Sequence, residues 1–315
     1  MTDHTSRPAS AGPPWISASE VFELVDFEGA TRAIQRALRE GLDPASDFSR
    51  SILDVNHGQL LLMPSQSARF VGVKVATVAP NNPSINRERI QGVYILADAE
   101  TLTPVVLLDG TALTTLRTPA VSAAIADYLA PKFVDHLVVF GTGPQARAHV
   151  HAMRAIREVQ RITVVGRFPG RAASLVGEFA AQGMNATEGD AADVRDAQII
   201  VCATTARMPL FDGESAPDDS CTIAVGSHDA DAREFDSALA VRAQLVVEDI
   251  AVALRESGDV AMPVTEGVIA ASDLVSMREI ITGAVPVDSS RPRAFTSSGM
   301  SWEDLVVAAA VFECF

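Results

Sequence analysis

The sequence predicts an α/β protein in which a parallel sheet with helices on both faces follows a strand-rich first region. After residue 130, short apolar segments alternate with helical segments, and these apolar segments show no polar alternation. That pattern is typical of strands buried on both faces of a parallel sheet. Before residue 110, strand-like segments follow one another between turn signals, which indicates an antiparallel or mixed sheet.

Composition limits the kind of protein and its partners. The chain has 315 residues, 48% of them hydrophobic, which is enough for one large or two ordinary domains with a sizeable core. A net charge of −15 argues against nucleic-acid partners and anionic membrane surfaces, because both require clustered cations. A small anionic substrate needs only a few local cations and is compatible with this charge.

The cellular setting is predicted from the termini, the apolar runs and the cysteines. No apolar run reaches the roughly 20 residues that span a bilayer. Residues 1–14 are polar and proline-rich and lack the apolar stretch of a signal peptide. Cys202 and Cys221 lie in apolar runs, as core residues do, and with Cys314 they form no Cys-x-x-Cys pair. We therefore expect a cytoplasmic protein.

The first region begins with helices. Ser17 and Glu20 have the spacing of a capping box and predict the start of a short helix. A second helix ends at Gly41, and its apolar face consists of Phe27, Ala30, Ile34, Ala37 and Leu38. Strands are predicted at residues 59–63, 70–78, 90–97 and 104–108, and a long alanine-rich helix at about residues 112–129.

The second region contains the parallel strands, predicted at residues 137–140, 162–165, 199–202, 222–225 and 245–247. After Ile281 the sequence predicts a loop that carries Pro286, Pro292 and several serines. Ser301 and Asp304 have capping-box spacing and predict the start of a last apolar helix. We expect this helix to pack back on the first region, which would make that domain discontinuous.

The motif between the first parallel strand and the following helix is Gly141-Thr142-Gly143-Pro144-Gln145-Ala146. In this context Gly141 permits a tight turn, Gly143 lets the backbone approach a phosphate, and Ala146 allows close packing of helix on strand. The amide groups at the helix start then face the phosphate charge. The motif therefore predicts a Rossmann-type domain that binds a dinucleotide.

The residues after the next strand bear on which dinucleotide binds. Sites that prefer NAD place a carboxylate here, which accepts a hydrogen bond from the ribose 2′-hydroxyl. This chain has Gly166 and Arg167 instead, with Arg171 four residues on. A cation without a carboxylate suits a 2′-phosphate, so the sequence favours NADP(H) over NAD(H). The alternative is a solvated arginine at the end of a strand.

Two cations stand in apolar surroundings. Lys74 lies within the strand at residues 70–78, as either an edge-strand lysine that blocks aggregation or a pocket lysine suited to proton transfer. Arg117 lies in the alanine-rich helix, where its guanidinium either clamps a carboxylate or extends to solvent. The residues alone leave both questions open.

Histidines offer one further candidate. His228 follows a predicted parallel strand, in the segment Gly226-Ser227-His228-Asp229. Ligands of such sheets bind at the carboxyl ends of strands, so His228 is either a titrating group beside a ligand or an ordinary loop histidine. His149 and His151 are two residues apart on a helix and cannot chelate one metal. We predict no metal site.

Six segments, which cover the chain from about residue 17 to the C-terminus, occur in the order of a known family. They are Leu61-Leu62-Met63-Pro64, Gly72-Val73-Lys74, Asp109-Gly110-Thr111-Ala112-Leu113-Thr114-Thr115-Leu116-Arg117-Thr118, the glycine motif, Val225-Gly226-Ser227-His228 with Arg233-Glu234, and Ser298-Gly299 with Glu303-Asp304. Together they resemble the ornithine cyclodeaminase/μ-crystallin family. The resemblance implies a homodimer. It also implies a Rossmann domain (126–296) inserted into a mixed α/β substrate-binding and dimerisation domain (1–125 plus 297–315).

The resemblance also implies roles for single residues. Lys74, Arg50 and Arg117 would face the substrate, with its carboxylate between the two arginines. Thr118 would lie near the cofactor phosphates, and the pair Thr204-Thr205 near the adenosine. The predicted cofactor-binding residues are Thr118, Gly141, Thr142, Gly143, Pro144, Gln145, Arg167, Thr204, Thr205, Gly226 and Ser227.

Two departures from the family pattern bear on the reaction. Ornithine cyclodeaminases carry a glutamate where this chain has Leu61 and an aspartate where it has His228. Those carboxylates suit a diamine, so their absence argues against cyclodeamination. The leading hypothesis is an NAD(P)H-dependent imine reductase or amino-acid dehydrogenase with a small carboxylate-bearing substrate, in which Lys74 or His228 transfers the proton. The alternatives are an ornithine or lysine cyclodeaminase and a non-catalytic binding protein of the crystallin kind.

Overall fold

A computed structural model of the chain describes residues 12–315; residues 1–11, which hold most of the predicted N-terminal tail, lie outside the described residues. Within the described part, the helices are α1 (Ala18–Leu24), α2 (Phe27–Arg39), α3 (Gly110–Leu129), α4 (Pro144–Ile156), α5 (Pro169–Ala181), α6 (Ser237–Arg242), α7 (Ile250–Glu256), α8 (Gly258–Thr265), α9 (Met277–Thr282) and α10 (Ser301–Cys314). None of these helices is long and apolar enough to cross a membrane.

The first sheet contains β1 (Trp15–Ile16), β2 (Ser51–Val55), β3 (Gly58–Gln66), β4 (Phe70–Val78), β5 (Ile90–Asp98) and β6 (Pro104–Asp109). Their order is β1-β6-β5-β4-β3-β2, and all neighbours are antiparallel except β1 and β6. The predicted mixed character is confirmed. Because β4 is an inner strand between β3 and β5, the edge-strand explanation of Lys74 is wrong.

The second sheet contains β7 (Val134–Phe140), β8 (Val159–Val165), β9 (Ala186–Glu188), β10 (Ile199–Cys202), β11 (Cys221–Ala224), β12 (Gln244–Val247), β13 (Val275–Ser276) and β14 (Arg293–Thr296). Their order is β13-β12-β14-β11-β10-β7-β8-β9, and every neighbouring pair is parallel. This confirms the predicted parallel sheet. The strands β7, β10, β11 and β12 are buried over most or all of their length, which explains their largely apolar sequences.

The loop predicted after Ile281 is wrong where β14 lies, because this strand occupies an inner position between β12 and β11. Its first residue, Arg293, is 3% exposed and donates to the carbonyl groups of Leu129 (2.9 Å) and Asp219 (2.7 Å). A proline precedes the strand and a buried arginine begins it, so its four residues show no apolar run.

Two helix starts illustrate how local sequence sets the elements. The capping box at the start of α1 is confirmed, since the Ser17 amide donates to Glu20 Oε2 at 2.7 Å. The capping box predicted for Ser301 and Asp304 is wrong. Met300 is the N-cap of α10, and its amide donates to Glu303 Oε1 at 2.7 Å, which frees the Asp304 side chain for another partner.

The last helix returns to the first sheet. Trp302, Leu305 and Val311 of α10 are buried in the same core as β4 and α3, and the Phe312 ring meets the Phe70 ring edge-on at 5.9 Å. The chain thus leaves the second sheet at Thr296 and re-enters the first region. The domain division at residues 125/126 and 296/297 stays a prediction, which this path of the chain supports.

Candidate active site

The glycine turn between β7 and α4 has the backbone that the motif predicts. Gly141 has a φ of +116°, and a Cβ there would lie 2.4 Å from the carbonyl oxygen of Ala203, so only glycine fits. Gly143 is the N-cap of α4, and a Cβ there would meet nothing within 4 Å. The amides of this helix start therefore border open space and fit a pyrophosphate group, which helix N-termini bind through amide hydrogen bonds and the helix dipole.

A cationic and aromatic surface follows β8. A Cβ on Gly166 would lie 2.8 Å from Thr142 Cγ2, so this glycine permits close contact with the glycine turn. Arg167 and Arg171 are exposed, and their guanidinium groups stand 5.0 Å and 5.5 Å from the centroid of the Phe168 ring. Two cations beside one aromatic ring can contact a phosphate and a base together.

The predicted cofactor residues after β10 and β11 use their side chains within the protein. Thr204 Oγ1 donates to Glu234 Oε1 at 2.7 Å, and Ser227 Oγ donates to the Ala232 carbonyl. Thr205 is exposed, and Thr118 on α3 is half-buried. The hydroxyl groups of Thr204 and Ser227 thus fix loop conformation, and the binding roles of all four residues stay predictions.

Lys74 lies in a buried ion pair. Its Nζ is 2.7 Å and 3.0 Å from the two carboxylate oxygens of Asp304 and donates to Thr114 Oγ1 at 3.2 Å. The Lys74 side chain is 3% exposed and that of Asp304 is fully buried. Burial lowers the pKa of Lys74 to about 8 even though Asp304 favours the charged form. A lysine with this pKa can both donate and regain a proton near neutral pH.

Arg117 is also buried, so the alternative of a side chain that extends to solvent is wrong. Its Nη1 donates to Glu303 Oε2, and its Nε lies 3.4 Å from Asp304 Oδ1. Burial opposes its charge, but Glu303 and Asp304 together raise its pKa. Gly299, with a φ of +78°, lies against this guanidinium: a Cβ there would be 2.8 Å from Arg117 Nη1.

Arg50 and His228 complete the cluster. Arg50 Nη1 donates to the carbonyls of Ser298 (3.3 Å) and Gly299 (3.2 Å), and its Nη2 pairs with Glu256. The His228 side chain is exposed to solvent, although much of the chain lies around it. Desolvation by the surrounding protein and the nearby positive charges of Arg50 and Arg117 lower the pKa of His228 to about 4, so the ring is neutral at pH 7.

Three acidic residues of this site were not predicted as functional. Glu303 and Asp304 hold the two buried cations, and Glu248 accepts from Ser297 Oγ at 2.8 Å and from the Gly299 amide at 3.2 Å. Burial and the neighbouring Glu303 raise the pKa of Glu248 well above its usual value. The signal in the sequence for Glu303 and Asp304 was a pair of adjacent acids at the start of a largely apolar helix.

The dinucleotide loop and the cation cluster meet at one edge of the second sheet. All its strands are parallel, so the residues that follow them lie along the same edge. Gly141, Thr204 and Gly226 follow β7, β10 and β11. On the neighbouring strands, Glu248 follows β12 and Ser297 follows β14, and the loop after β14 contacts Arg50 and Arg117.

This fold and site define a dinucleotide-binding α/β protein with a buried cluster of ion-paired cations near the dinucleotide loop. The chain belongs to the ornithine cyclodeaminase/mu-crystallin family, whose model matches residues 16–315. The resemblance drawn from the six sequence segments is confirmed.

Relatives of known activity match the chain over nearly its full length. A Delta(1)-pyrroline-2-carboxylate reductase of Bacillus cereus is 33% identical over 314 residues, which covers 95% of each chain. One from Colwellia psychrerythraea is 29% identical and covers 95% of this chain and 98% of its own. The structure of Thermococcus litoralis Delta(1)-pyrroline-2-carboxylate reductase in complex with NADH and L-proline has a TM-score of 0.88 and 27% identity, covering 96% of this chain and 97% of that chain.

Proposed function

We propose that this protein is an NAD(P)H-dependent reductase of the C=N bond of small cyclic imino acids, with Delta(1)-pyrroline-2-carboxylate as substrate and L-proline as product. The observation that carries the proposal is the buried Lys74 and Arg117 beside the edge of the sheet where the glycine turn lies. The relatives named Delta(1)-pyrroline-2-carboxylate reductases support the choice of substrate.

The two arginines would bind the substrate carboxylate. A planar guanidinium matches a carboxylate with parallel hydrogen bonds. The Nε of Arg117 makes no hydrogen bond within the described chain, although Asp304 Oδ1 lies 3.4 Å away, so a ligand acceptor would satisfy this donor. Arg50 contacts the neutral carbonyl groups of Ser298 and Gly299 besides its ion pair with Glu256. A ligand carboxylate would replace protein acceptors at both arginines.

Lys74 is the proton donor that the pKa values favour. With a pKa of about 8 it is mostly charged at pH 7 and can protonate the imine nitrogen. His228, with a pKa of about 4, is uncharged at that pH and can only contribute a hydrogen bond. When bound, the reduced nicotinamide supplies the hydride for the carbon of the C=N bond. Buried Asp304 holds the ammonium group in place through both of its oxygens.

The test is the oxidation of NADPH and NADH with Delta(1)-pyrroline-2-carboxylate, Delta(1)-piperideine-2-carboxylate, and pyruvate with ammonium. We expect the first to turn over best. No turnover on the whole panel, with tight cofactor binding, would contradict reduction and favour a binding protein. Release of ammonia and proline from ornithine without net change in the cofactor would favour a cyclodeaminase.

The cofactor preference for NADP(H) is part of the proposal. We expect Arg167→Ala to weaken NADPH binding by roughly 10–100-fold, since a hydrogen bond to a charged group is worth about 1.5–3 kcal/mol. The binding of NADH should change less than threefold. Calorimetric titration of both cofactors measures this.

A matched control is Arg154→Ala, which removes an exposed arginine from the last turn of α4, away from the glycine turn at its first turn. It should leave both affinities unchanged. Equal losses for NADPH and NADH in the Arg167 variant would mean that Arg167 does not recognise the 2′-phosphate.

We propose that the protein forms a homodimer whose interface covers the edge strand β2. This edge strand is exposed along its whole length, with Ile52 48%, Leu53 50% and Val55 52% exposed. An exposed apolar edge strand is an unusual feature of a monomer and is typically paired or covered. We expect Leu53→Glu to convert a dimer to monomers in light scattering after gel filtration. Phe133→Glu, at a residue 68% exposed elsewhere, should stay dimeric; a dimeric Leu53 variant would place the interface away from β2.

A cytoplasmic location is also proposed. Cys202 and Cys221 are buried free thiols, as predicted for core residues, and Cys314 is an exposed free thiol. Unpaired thiols persist in a reducing compartment.

A further inference from the structure

Glu234, on the loop after β11, joins two loops through one buried carboxylate. Its Oε1 accepts from the Thr204 amide at 2.8 Å and from Thr204 Oγ1 at 2.7 Å. Its Oε2 accepts from the Gly226 amide at 2.7 Å. Thr204 follows β10 and Gly226 follows β11, so the carboxylate spans the ends of two adjacent strands at the cofactor edge.

The contact between these loops is tight. A Cβ on Gly226 would lie 2.1 Å from the Thr204 carbonyl oxygen and 2.6 Å from Glu234 Oε1. The Glu234 side chain is fully buried. Ser227 and His228 come directly after Gly226, so the position of Gly226 sets where the His228 segment begins.

A second carboxylate holds Glu234 in place. Asp259, in the first turn of α8, accepts from the Glu234 amide at 2.7 Å and the Phe235 amide at 3.2 Å through Oδ1. Its Oδ2 accepts from Thr296 Oγ1 at 3.0 Å. Asp259 thus fixes the backbone of Glu234, whereas the Glu234 side chain fixes the two loops.

We propose that Glu234 is a positioning residue for cofactor binding: its carboxylate sets the spacing between the loops after β10 and β11. The inference rests on the proposed function only in that a dinucleotide binds at this edge, where open α/β sheets bind their ligands. A change of the acid to an amide keeps the shape of the side chain but loses the bond to Gly226 or the bond to the Thr204 amide, because only one oxygen remains.

The two carboxylates differ in how they tolerate an amide. Both oxygens of Glu234 face backbone amides, which cannot act as acceptors, so Glu234→Gln places an NH₂ group against an N–H group. Asp259 presents Oδ2 to a hydroxyl, which can rotate and accept a hydrogen bond from an amide. The same substitution of acid by amide therefore breaks one of the two backbone contacts of Glu234 and preserves the contacts of Asp259.

The experiment compares Glu234→Gln with Asp259→Asn in the full chain. The Kd values of NADPH and NADH are measured by calorimetry, the unfolding temperature by fluorescence, and the KM and kcat values by turnover. We expect Glu234→Gln to raise the cofactor Kd and KM roughly tenfold or more. Asp259→Asn should change them less than threefold. If the Glu234 variant does not fold, Gly226→Ala, which forces the same loops apart, should raise the cofactor Kd in the same way.

Parallel losses of affinity and thermal stability in both amide variants would indicate a structural role alone and overturn the proposal, as would an unchanged Kd in Glu234→Gln or in Gly226→Ala. Because the Kd is independent of turnover, the proposed function can fail separately. If the wild-type protein binds the cofactor but reduces no imine, the proposed reductase function is wrong. The Kd values of the variants still test the role of Glu234 in that case. Wild-type protein that binds neither cofactor would overturn both proposals.

Discussion

Replacing Lys74 with methionine is expected to lower kcat for imine reduction by roughly 10²–10⁴-fold, the usual contribution of a positioned proton donor. Methionine keeps the packing of the methylene stem but lacks the ammonium group. Within the described chain it leaves buried Asp304 with the Nε of Arg117, at 3.4 Å, as its remaining ion-pair partner, so stability should also fall by about 3–5 kcal/mol. Steady-state kinetics below the unfolding temperature measure the effect, and NADPH titration confirms that the variant still binds cofactor.

The pH dependence separates proton donation from simple packing. The reduction needs charged Lys74, so the wild-type rate should be full below pH 7 and fall as pH rises through about 8. Asp304 raises the pKa of Lys74, so Asp304→Asn should move this fall to lower pH. If Lys74→Met keeps the wild-type kcat, or if Asp304→Asn leaves the pH profile of the rate unchanged, Lys74 is not the proton donor.

Arg117→Ala should raise the KM for the imino acid by about 10²-fold, because truncating one partner of a buried charged hydrogen bond costs 2–5 kcal/mol or more. The guanidinium is the proposed carboxylate clamp, and its loss also leaves Glu303 buried without its cation. Arg117→Lys keeps the charge but loses the planar fork, so its KM should lie between those of the wild type and the alanine variant. The KM for NADPH should change little.

A matched control separates binding from stability. Arg157 is another buried arginine, paired with Asp127 at 2.7 Å at the end of α3, and its side chain is 6% exposed. Arg157→Ala should lower the unfolding temperature comparably without raising the KM for the imino acid. Equal KM values in the two alanine variants would show that Arg117 serves folding rather than substrate binding.

The elements whose structure depends on local chemistry were predictable from the sequence. The bounds of β4 and β10 were predicted to the residue, because apolar runs and turn residues mark both ends. The turn at Gly141 was predictable because only glycine tolerates its backbone conformation.

The carboxylate partners of the buried cations could not be predicted from the sequence. Lys74 and Asp304 are 230 residues apart in the chain, and only the return of α10 to the first sheet brings them together. Acids are favoured in the first turn of a helix, so helix formation alone explained the presence of Asp304 in the sequence. The strand β2 was missed because it is exposed on both faces and shows no burial pattern.

In the proposed reaction, this site reduces the C=N bond of a cyclic imino acid with a nicotinamide cofactor. The most direct measurement uses Delta(1)-pyrroline-2-carboxylate and a reduced cofactor that carries deuterium at the transferred position, with mass spectrometry of the product. We predict L-proline with one deuterium on the carbon that bears the carboxylate. Proline without the label, or no proline at all while the cofactor remains reduced, would contradict the proposed reaction.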